Sequence, residues 1–299
     1  MKNNLAGVVI AYNPSEEIVE NINSYVRFLD VLYVIDNSSS DNSKLFLDVG
    51  EGKIQYLFDG VNKGISSPIN YAARAAYELG VEWLLTMDQD SQFQNLDILT
   101  SYLSSDKDRQ RVGIYSPFHE SGMRKRMTNE SVSYVKSVMT SGNIVNINIF
   151  NRVGGLDENF FIDRVDHDFC LRLIEHGYFI KQINYCTLKH NLGNIDFRVS
   201  GVEVTNHSPI RRYYITRNFF YFIEKHLFKK PLFCLRYTQN FFCDLYRVFR
   251  YEKQRRMKIK YIAKEGANKQ VISSQADSLI KISRFWADFF PANTSNQPI

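Results

Sequence analysis

Short apolar runs alternate with helix-like segments through the first 120 residues. The runs at 5–12, 31–36, 54–58, 81–87 and 112–116 predict strands, several of them apolar at successive positions, as in parallel strands covered on both faces. Segments near 15–29, 41–49, 66–79 and 95–105 predict helices, with candidate caps at Ser15, Asp41, Ser66 or Ser67, and Asn95. This alternation predicts an α/β fold with a Rossmann-like, doubly wound, mostly parallel sheet.

After residue 120 the pattern becomes less regular. A further helix is predicted from about Asp166 to His176, ended by Gly177, and a strand follows at 178–184. Beyond Arg211 the chain is rich in aromatic and basic residues, which indicates helices outside the sheet. We therefore expect a sheet domain over residues 1–220 and a helical, basic and aromatic extension over residues 221–299.

Polar side chains follow most of the predicted strands. In doubly wound sheets, ligands bind beyond the carboxyl ends of the strands. The residues expected at that edge are Asn13, Asp36, Asn37, Asn62, Asp88 and Asp90.

The apolar run ending at Met87 leads directly into Asp88 and Asp90, two carboxylates one residue apart. A chain that turns at a strand end brings both to one cation. Mg²⁺ and Mn²⁺ suit such a site, because they accept one or two carboxylates and take other oxygens from phosphate and water. The alternative is that these acids form a surface turn or cap the next helix.

Two further turns have the composition of a nucleotide site. Residues 34–41 run from a strand into a serine-rich turn that could grip a base or ribose, although an Asx turn with Asp41 as a cap explains most of it. At 60–64, Gly60 and Gly64 permit close backbone approach, and Lys63 could reach a phosphate. The spacing is not that of a P-loop.

The length of 299 residues and the 44% hydrophobic content are enough for one large domain with an appendage. No run of eighteen apolar residues occurs, and the amino terminus has no cleavage-site pattern, so we expect neither a spanning helix nor a signal peptide. The four cysteines lack zinc-ligand spacing, which favours buried, reduced thiols and a cytoplasmic location.

Positive charge is concentrated in one segment. The net charge is +5, but residues 225–264 alone hold twelve Lys/Arg and two acids, a local charge of +10. Apolar residues at helical spacing beside this charge predict a helix on an anionic membrane surface. The alternative is a basic helix packed on the sheet domain or on a second subunit, in a homo-oligomer. Nucleic acid is a poorer partner, because no recognition motif accompanies the charge.

Six motifs occur in a fixed order: AYNP, VIDNSSSDNS, NKGIS, MDQDS, GGLDENFFIDRVDHDFCLRL and RRYYITRN. Together they resemble inverting family 2 glycosyltransferases of the GT-A fold, over roughly residues 5–220. The MDQDS and RRYYITRN forms are most similar to the rhamnosyltransferase branch. Six ordered motifs are far more specific than any one of them.

The resemblance implies a role for each residue at the strand ends. Asp36 would contact the nucleotide base, and Asn13, Asn62 and Lys63 would line the nucleotide. Asp90 would be the principal ligand of a Mg or Mn ion, and Asp88 would contact the ribose or the metal. Two downstream residues would join them: His190 would reach the metal or diphosphate, and Arg217 would bind the diphosphate. For His190 a structural role, and for Arg217 packing among aromatic side chains, are the alternatives.

The acids at the start of the helix predicted from Asp166 to His176 correspond to the acidic pair that the family has at this place. Asp166 aligns with the general base, Asp168 would contact substrate, and Val165 stands where the family usually has Glu. A base at Asp166 would deprotonate the acceptor hydroxyl as it attacks the anomeric carbon. Asp163 is the local rival for this role, and stabilisation of the helix amino terminus is the structural alternative.

The resemblance implies transfer of L-rhamnose from dTDP-β-L-rhamnose to a lipid-linked saccharide in cell-wall or surface polysaccharide assembly, at the cytoplasmic face of a membrane. One alternative is a UDP-hexose or UDP-galactofuranose donor. Another is a catalytically silent nucleotide-binding scaffold at the membrane.

Overall fold

The structure is a computed structural model that describes residues 4–120, 129–190, 204 and 206–266, without the side chains of residues 190 and 264–266. The chain divides into two compact units, Met1–Leu192 and Gly193–Ile299. The Lys/Arg cluster at 124–126 and the residues after 266 lie outside the described residues.

The first unit is built on one mixed sheet. The described residues form strands β1 (Leu5–Ala11), β2 (Val31–Asp36), β3 (Ile54–Phe58), β4 (Trp83–Asp88), β5 (Ser91–Phe93), β6 (Val112–Glu120), β7 (Val132–Tyr134), β8 (Asn143–Asn146) and β9 (Phe179–His190). Their order is β3-β2-β1-β4-β8-β6-β9-β5, and β7 also pairs with β9. Strands β1 to β4, β6 and β9 run one way, and β5, β7 and β8 run against them. The predicted α/β class and mostly parallel sheet are confirmed.

Helices α1 (Glu17–Asn23), α2 (Ser66–Glu78), α3 (Leu96–Ser105), α4 (Ile147–Arg152) and α5 (Val165–Glu175) accompany the sheet. In α2, the buried residues Ile69, Ala72, Ala73 and Ala76 recur at helical spacing, so one side packs on β1 and β4. Small alanines let this helix approach the strands closely. The buried side of α2 thereby covers β1 and β4.

Two predicted helices are wrong in extent. The segment at 41–49 forms a 3-10 turn at Ser43–Phe46, because Asp41 accepts a hydrogen bond from the Ser43 backbone N–H at 2.7 Å and so closes an Asx turn. The segment at 15–29 breaks into α1 and a 3-10 turn at Val26–Phe28.

The predicted cap Asn95 stands at the start of α3, but its side chain does not cap that helix. Asn95 Oδ1 instead accepts from the Thr187 N–H at 2.8 Å, and its Nδ2 donates to the Tyr185 carbonyl at 2.8 Å. Both partners lie on β9. The Asn95 side chain therefore joins the start of α3 to β9.

The second unit contains α6 (Pro209–His226), α7 (Pro231–Tyr251) and α8 (Arg255–Gly266), as the aromatic and basic composition predicted. Ser208 caps α6 by accepting from the Arg211 N–H at 3.3 Å, with Pro209 in the first turn. Phe219 of α6 and Phe241 of α7 stack with centroids 3.9 Å apart. The predicted domain boundary at residue 220 falls inside α6. The division of the chain into its two compact units falls between residues 192 and 193.

None of the described helices is long and apolar enough to cross a membrane. All four cysteines are free; Cys170, Cys186 and Cys234 are buried as expected, but Cys243 is exposed.

A buried ion network links α6, α7 and α8. Arg212 contacts Asp244 at 2.6 Å and also pairs with Glu252. Lys258 pairs with the other Glu252 oxygen at 2.7 Å. Burial raises the pKa of Glu252, but the hydrogen bonds from Arg212 and Lys258 outweigh it and hold the pKa below the usual value. Glu252 is therefore the anion that compensates two buried cations.

We expect Glu252→Gln to lower the free energy of unfolding by about 3–5 kcal/mol, because it removes the anionic partner of buried Lys258 and one of the acids that pair with Arg212. Since folding lowers the pKa of Glu252, its contribution is present above the ordinary pKa of a glutamate and is lost as pH falls through the folded value. Urea unfolding followed by helical circular dichroism, repeated at neutral and acid pH, measures both effects. Asp244→Asn, at a more exposed partner of Arg212, serves as the milder control. Equal stability of Glu252→Gln and wild type would contradict the prediction.

Candidate active site

The carboxyl ends of β1, β2, β3 and β4 lie at the same edge of the sheet. Ala11 pairs with Asp36, which pairs with Phe58, and Ile10 pairs with Asp88. Asp36 and Asp88 lie on the two strands that flank β1. Because neighbouring strands are about 4.8 Å apart, their Cα atoms are about 10 Å apart. The chain order reverses here, since β2 and β3 lie on one side of β1 and β4 on the other. Such a switch point is where doubly wound sheets bind ligands.

Asp36 is buried, and hydrogen bonds from neighbouring loops and strands hold its carboxylate. It accepts hydrogen bonds from the Tyr56 hydroxyl at 2.7 Å, the Asn42 amide at 2.8 Å and the Ser38 N–H at 2.9 Å. Burial raises the pKa of Asp36, but these bonds outweigh it and hold the pKa below the usual value. The group is a fixed carboxylate at neutral pH.

The loops after β1, β2 and β3 are joined by side chains. The Asn13 N–H donates to Ser38 Oγ at 2.6 Å, and Asn13 has a positive φ of 46°. Asn37 donates to the Gly64 carbonyl at 2.8 Å and accepts from the Lys63 N–H at 3.2 Å. These contacts make the loops one rigid wall.

Beside this wall is a cleft of about 220 Å³. Its lining includes Asp36, Asn37, Phe58, Asp59, Lys63 and Tyr71. The Lys63 ammonium pairs with Asp59 at the surface, and the Asn62 side chain accepts from the Gly64 N–H at 2.9 Å. Both predicted nucleotide residues are exposed beside the Asp36 cleft. The cleft therefore combines an apolar wall, a fixed carboxylate and a cation.

The Asp88–Asp90 turn is clamped on both sides. Gln89 accepts from the Tyr12 N–H at 2.7 Å and donates to the Tyr12 carbonyl at 3.2 Å, which ties the turn to the end of β1. The Asp88 N–H donates to Ser141 Oγ at 3.0 Å, and Ser141 donates to Ser91 Oγ at 2.8 Å. Asp88 is half-buried and Asp90 exposed. The turn is rigid while its second carboxylate faces solvent.

His190 lies next to this turn. Its backbone pairs with Ser91, one residue beyond Asp90, and its side chain lies outside the described part of the chain. Among described residues, no three His, Cys, Asp or Glu side chains come together as a metal site. Two hard carboxylates nevertheless suit Mg²⁺ or Mn²⁺, which take their other ligands from phosphate and water in nucleotide sites. The donor set of Asp88 and Asp90 therefore fits the predicted ion.

The second acid cluster begins with backbone strain. Asp163 and Arg164 have backbone φ angles of 63° and 71°. Residues other than glycine rarely adopt positive φ angles. Such strain persists only where the surroundings impose it, and it concentrates at functional sites. The two residues turn the chain sharply before α5 and place Asp166 in its first turn.

Asp166 is partly exposed, with 22% of its side chain accessible. Its Oδ1 accepts from the His167 N–H at 2.8 Å and from His167 Nδ1 at 2.9 Å. Burial raises the pKa of Asp166, but the bonds from His167 and the charge of Arg164 outweigh it and hold the pKa below its usual value. Asp166 is therefore an oriented, reachable carboxylate, as a general base requires.

Asp168 differs from its neighbour, and the structure gives no support to a substrate contact. Its side chain is fully buried and pairs with Arg172 at 2.8 Å. Arg172 also donates to the carbonyls of Val153 at 2.6 Å and Gly155 at 2.7 Å. Asp168 thus anchors α5 to the preceding turn. The i, i+4 spacing of Asp168 and Arg172 was the sequence signal for this pair.

The nucleotide-side loop packs against the chain that leads to Asp166. Ser66 Oγ donates to the Phe160 carbonyl at 2.8 Å, and the Ile65 N–H donates to the Phe161 carbonyl at 2.9 Å. Gly64 has φ of +70°, and a Cβ on it would lie 2.1 Å from the Phe161 oxygen. Glycine is required here because the two segments touch through their backbones.

Arg217 lies on α6 in the second unit. Its Nε donates to Asn218 Oδ1 at 2.9 Å, and its guanidinium carbon is 5.1 Å from the Tyr214 ring centroid. These contacts match the aromatic packing that was the alternative to diphosphate binding. The diphosphate contact stays a prediction.

Comparison with known proteins identifies the domain. The model of the family described as glycosyl transferase family 2 matches residues 8–170, more than half of the chain. The chain belongs to glycosyl transferase family 2. The matched range of this glycosyltransferase includes the Asp36 cleft, the Asp88–Asp90 turn and Asp166, so the predicted family is confirmed.

One relative is a rhamnosyl transferase, and it supports a hexosyltransferase activity for this chain. The glycosyltransferase is 30% identical to the dTDP-rhamnosyl transferase RfbF of Shigella flexneri over 245 residues, which is 75% of this chain and 81% of the relative.

Two solved structures share the fold. TarS of S. aureus, residues 1–349 in complex with UDP-GlcNAc, has a TM-score of 0.52 and 17% identity over 85% of this chain and 74% of that one. GalNAc-T7 with UDP, GalNAc and Mn²⁺ has a TM-score of 0.53 and 12% identity over 71% of this chain. The chain spans about half the length of the GalNAc-T7 structure, with 47% of it covered. At these identities the likeness concerns the fold, and it confirms the GT-A architecture.

Proposed function

We propose that this glycosyltransferase transfers L-rhamnose, with inversion, from dTDP-β-L-rhamnose to a lipid-linked saccharide in cell-wall or surface polysaccharide assembly. The observation that carries the proposal is the 30% identity to a dTDP-rhamnosyl transferase over 75% of the chain. Two separate carboxylate sites on the matched domain support a donor side and an acceptor side. The predicted location is the cytoplasmic face of a membrane, as a peripheral protein.

On the donor side, Asp36 accepts a hydrogen bond from the imide N–H of the thymine ring. The hydrogen bonds from Ser38, Asn42 and Tyr56 orient the carboxylate at the edge of the cleft. The apolar lining of the adjoining cleft, Phe58 and Tyr71, provides a surface for the ring. Lys63 and Asn62 line the nucleotide beyond it.

Asp90, with Asp88, would hold Mg²⁺ or Mn²⁺, which would supply positive charge beside the departing nucleoside diphosphate. The chain's part is to keep both carboxylates in place. Gln89 and Ser141 do this from opposite sides of the turn. A fixed turn costs no reorganisation when the diphosphate binds.

On the acceptor side, Asp166 takes the proton of the attacking hydroxyl. As that O–H bond breaks, the acceptor oxygen bonds to the anomeric carbon, and the bond from this carbon to the diphosphate oxygen breaks on the opposite face. The products are the inverted glycoside, dTDP and a protonated Asp166, which returns its proton to solvent. A positioned base of this kind contributes ~10²- to 10⁴-fold in rate.

A donor panel tests the proposal. The full chain is incubated with dTDP-rhamnose, UDP-glucose, UDP-galactose or UDP-N-acetylglucosamine, with Mg²⁺, Mn²⁺ or a chelator, and nucleoside diphosphate release is measured. We expect release from dTDP-rhamnose in the presence of either ion and little release with the chelator. Preference for a UDP-sugar would replace the donor. No binding of any nucleoside diphosphate would favour a silent scaffold.

A further inference from the structure

Helix α7 has two apolar faces, and among the described residues only one of them packs inside the second unit. Cys234, Tyr237, Phe241 and Val248 are buried, with Phe241 stacked on Phe219. The other face presents a line of exposed side chains at alternating spacings of three and four, Leu232, Leu235, Gln239, Phe242, Tyr246 and Phe249. Leu232 is 77%, Phe242 60% and Tyr246 62% exposed. We refer to this line as the α7 seam.

Positive charge borders the α7 seam. Arg236, Arg247 and Arg250 are exposed on the same helix, and Arg255 and Arg256 follow at the start of α8. The two acids of this segment do not offset them at the surface, because Asp244 and Glu252 both pair with Arg212 in the ion network. The seam is therefore an aromatic strip with a cationic margin.

We propose that the α7 seam docks on an anionic lipid surface, with the helix lying in the interface and its aromatic side chains among the headgroups. Charge complementarity selects this occupant. A second copy would bring the same arginines against one another, whereas anionic headgroups neutralise them. Aromatic side chains with arginine margins are typical of helices that lie at such an interface. This proposal rests on the peripheral membrane location given under the proposed function and names the surface that would make the contact. It uses no residue of the candidate active site.

The test is co-sedimentation of the full chain with vesicles of phosphatidylcholine alone or mixed equally with phosphatidylglycerol, at low and high salt. We expect binding to the anionic vesicles that weakens with salt. Phe242→Gln with Tyr246→Gln should weaken that binding about tenfold or more, since two aromatic side chains no longer leave water. Arg236→Gln with Arg247→Gln should also weaken it, by about 25-fold at roughly fivefold for each charge.

Leu47→Gln with Tyr77→Gln is the matched control, because these side chains are 77% and 53% exposed on the first unit. It should bind vesicles like wild type. Circular dichroism verifies that each variant is folded, and donor hydrolysis should be unchanged in all of them. If the wild-type protein did not hydrolyse dTDP-rhamnose, the proposed function would be refuted. The result on vesicle binding would still stand.

Three results would overturn the lipid proposal. They are equal binding to neutral and anionic vesicles, unchanged binding of the Phe242 and Tyr246 variant, and absence of vesicle binding by the full chain. A dimer in sedimentation equilibrium that this variant abolishes, without vesicle binding, would assign the seam to a second copy.

Discussion

Asp166→Asn is expected to lower the turnover rate of sugar transfer by ~10²- to 10⁴-fold, because the amide cannot take the proton of the acceptor hydroxyl. The side chain keeps its size, and its oxygen can still accept from the His167 N–H, so the fold should be retained. Asp166 belongs to the acceptor side of the proposal. The affinity for nucleoside diphosphate should therefore stay within about twofold of wild type.

Single-turnover transfer and calorimetric titration with dTDP separate these two effects. Asp163→Asn is the informative companion, since Asp163 is the local rival for the base. We expect Asp163→Asn to retain most activity. Full activity in Asp166→Asn, or a larger loss in Asp163→Asn, would falsify the assignment of the base.

The pH profile gives an independent test of the same residue. A base acts when deprotonated, and the folded pKa of Asp166 is below its usual value, so transfer should persist into acid before it falls. His167→Ala removes the ring nitrogen that lies 2.9 Å from the carboxylate. The pKa of Asp166 should then rise, and the acid limb of the profile should move to higher pH. An unmoved acid limb would show that another group controls it.

Asp90→Ala is expected to reduce transfer by more than about a hundredfold, because the loss of a cation's main ligand removes several kcal/mol of stabilisation from the departing diphosphate. Unlike Asp166→Asn, it should also weaken nucleotide binding in the presence of Mn²⁺. The two variants thus fail at different steps.

Metal dependence is measured by titrating Mn²⁺ or Mg²⁺ into the donor hydrolysis assay. The control is Asp97→Ala, another exposed aspartate of the first unit, which lies in the first turn of α3. It should lose little activity. If Asp90→Ala retained the wild-type rate and metal response, the proposed cation site would be wrong.

Local pattern predicted strands β1 to β4 well. The bounds of β2 and β3 agree with the prediction, and those of β1 and β4 differ by one or two residues. Buried parallel strands are apolar at successive positions, and that signal is carried by a few neighbouring residues. The same reasoning placed polar residues at the strand ends, where the register brings Asp36 and Asp88 to the two sides of β1.

Long-range pairing was less visible. Strand β8 inserts antiparallel between β4 and β6, and β5 pairs antiparallel with β9. Short strands carry little periodicity, and their partners lie far away in the chain. Tyr56, which holds Asp36, had no signal beyond its place in a strand. Ser141, which holds Asp88 from 53 residues away, had none.

The sequence by itself determined the α/β alternation, the family, and the two clusters of aspartates at 88–90 and 163–168. All of these are visible in residue types and motifs that occupy short stretches of the chain. Only the tertiary structure decided what each carboxylate can do. Asp166 and Asp168 are two residues apart, yet their surroundings differ. The Asp166 side chain is partly exposed and accepts hydrogen bonds from His167, while the Asp168 side chain is fully buried and pairs with Arg172. The reason is physical: burial and hydrogen bonding depend on the side of α5 that packs against the rest of the domain, and the spacing of the residues does not specify that packing.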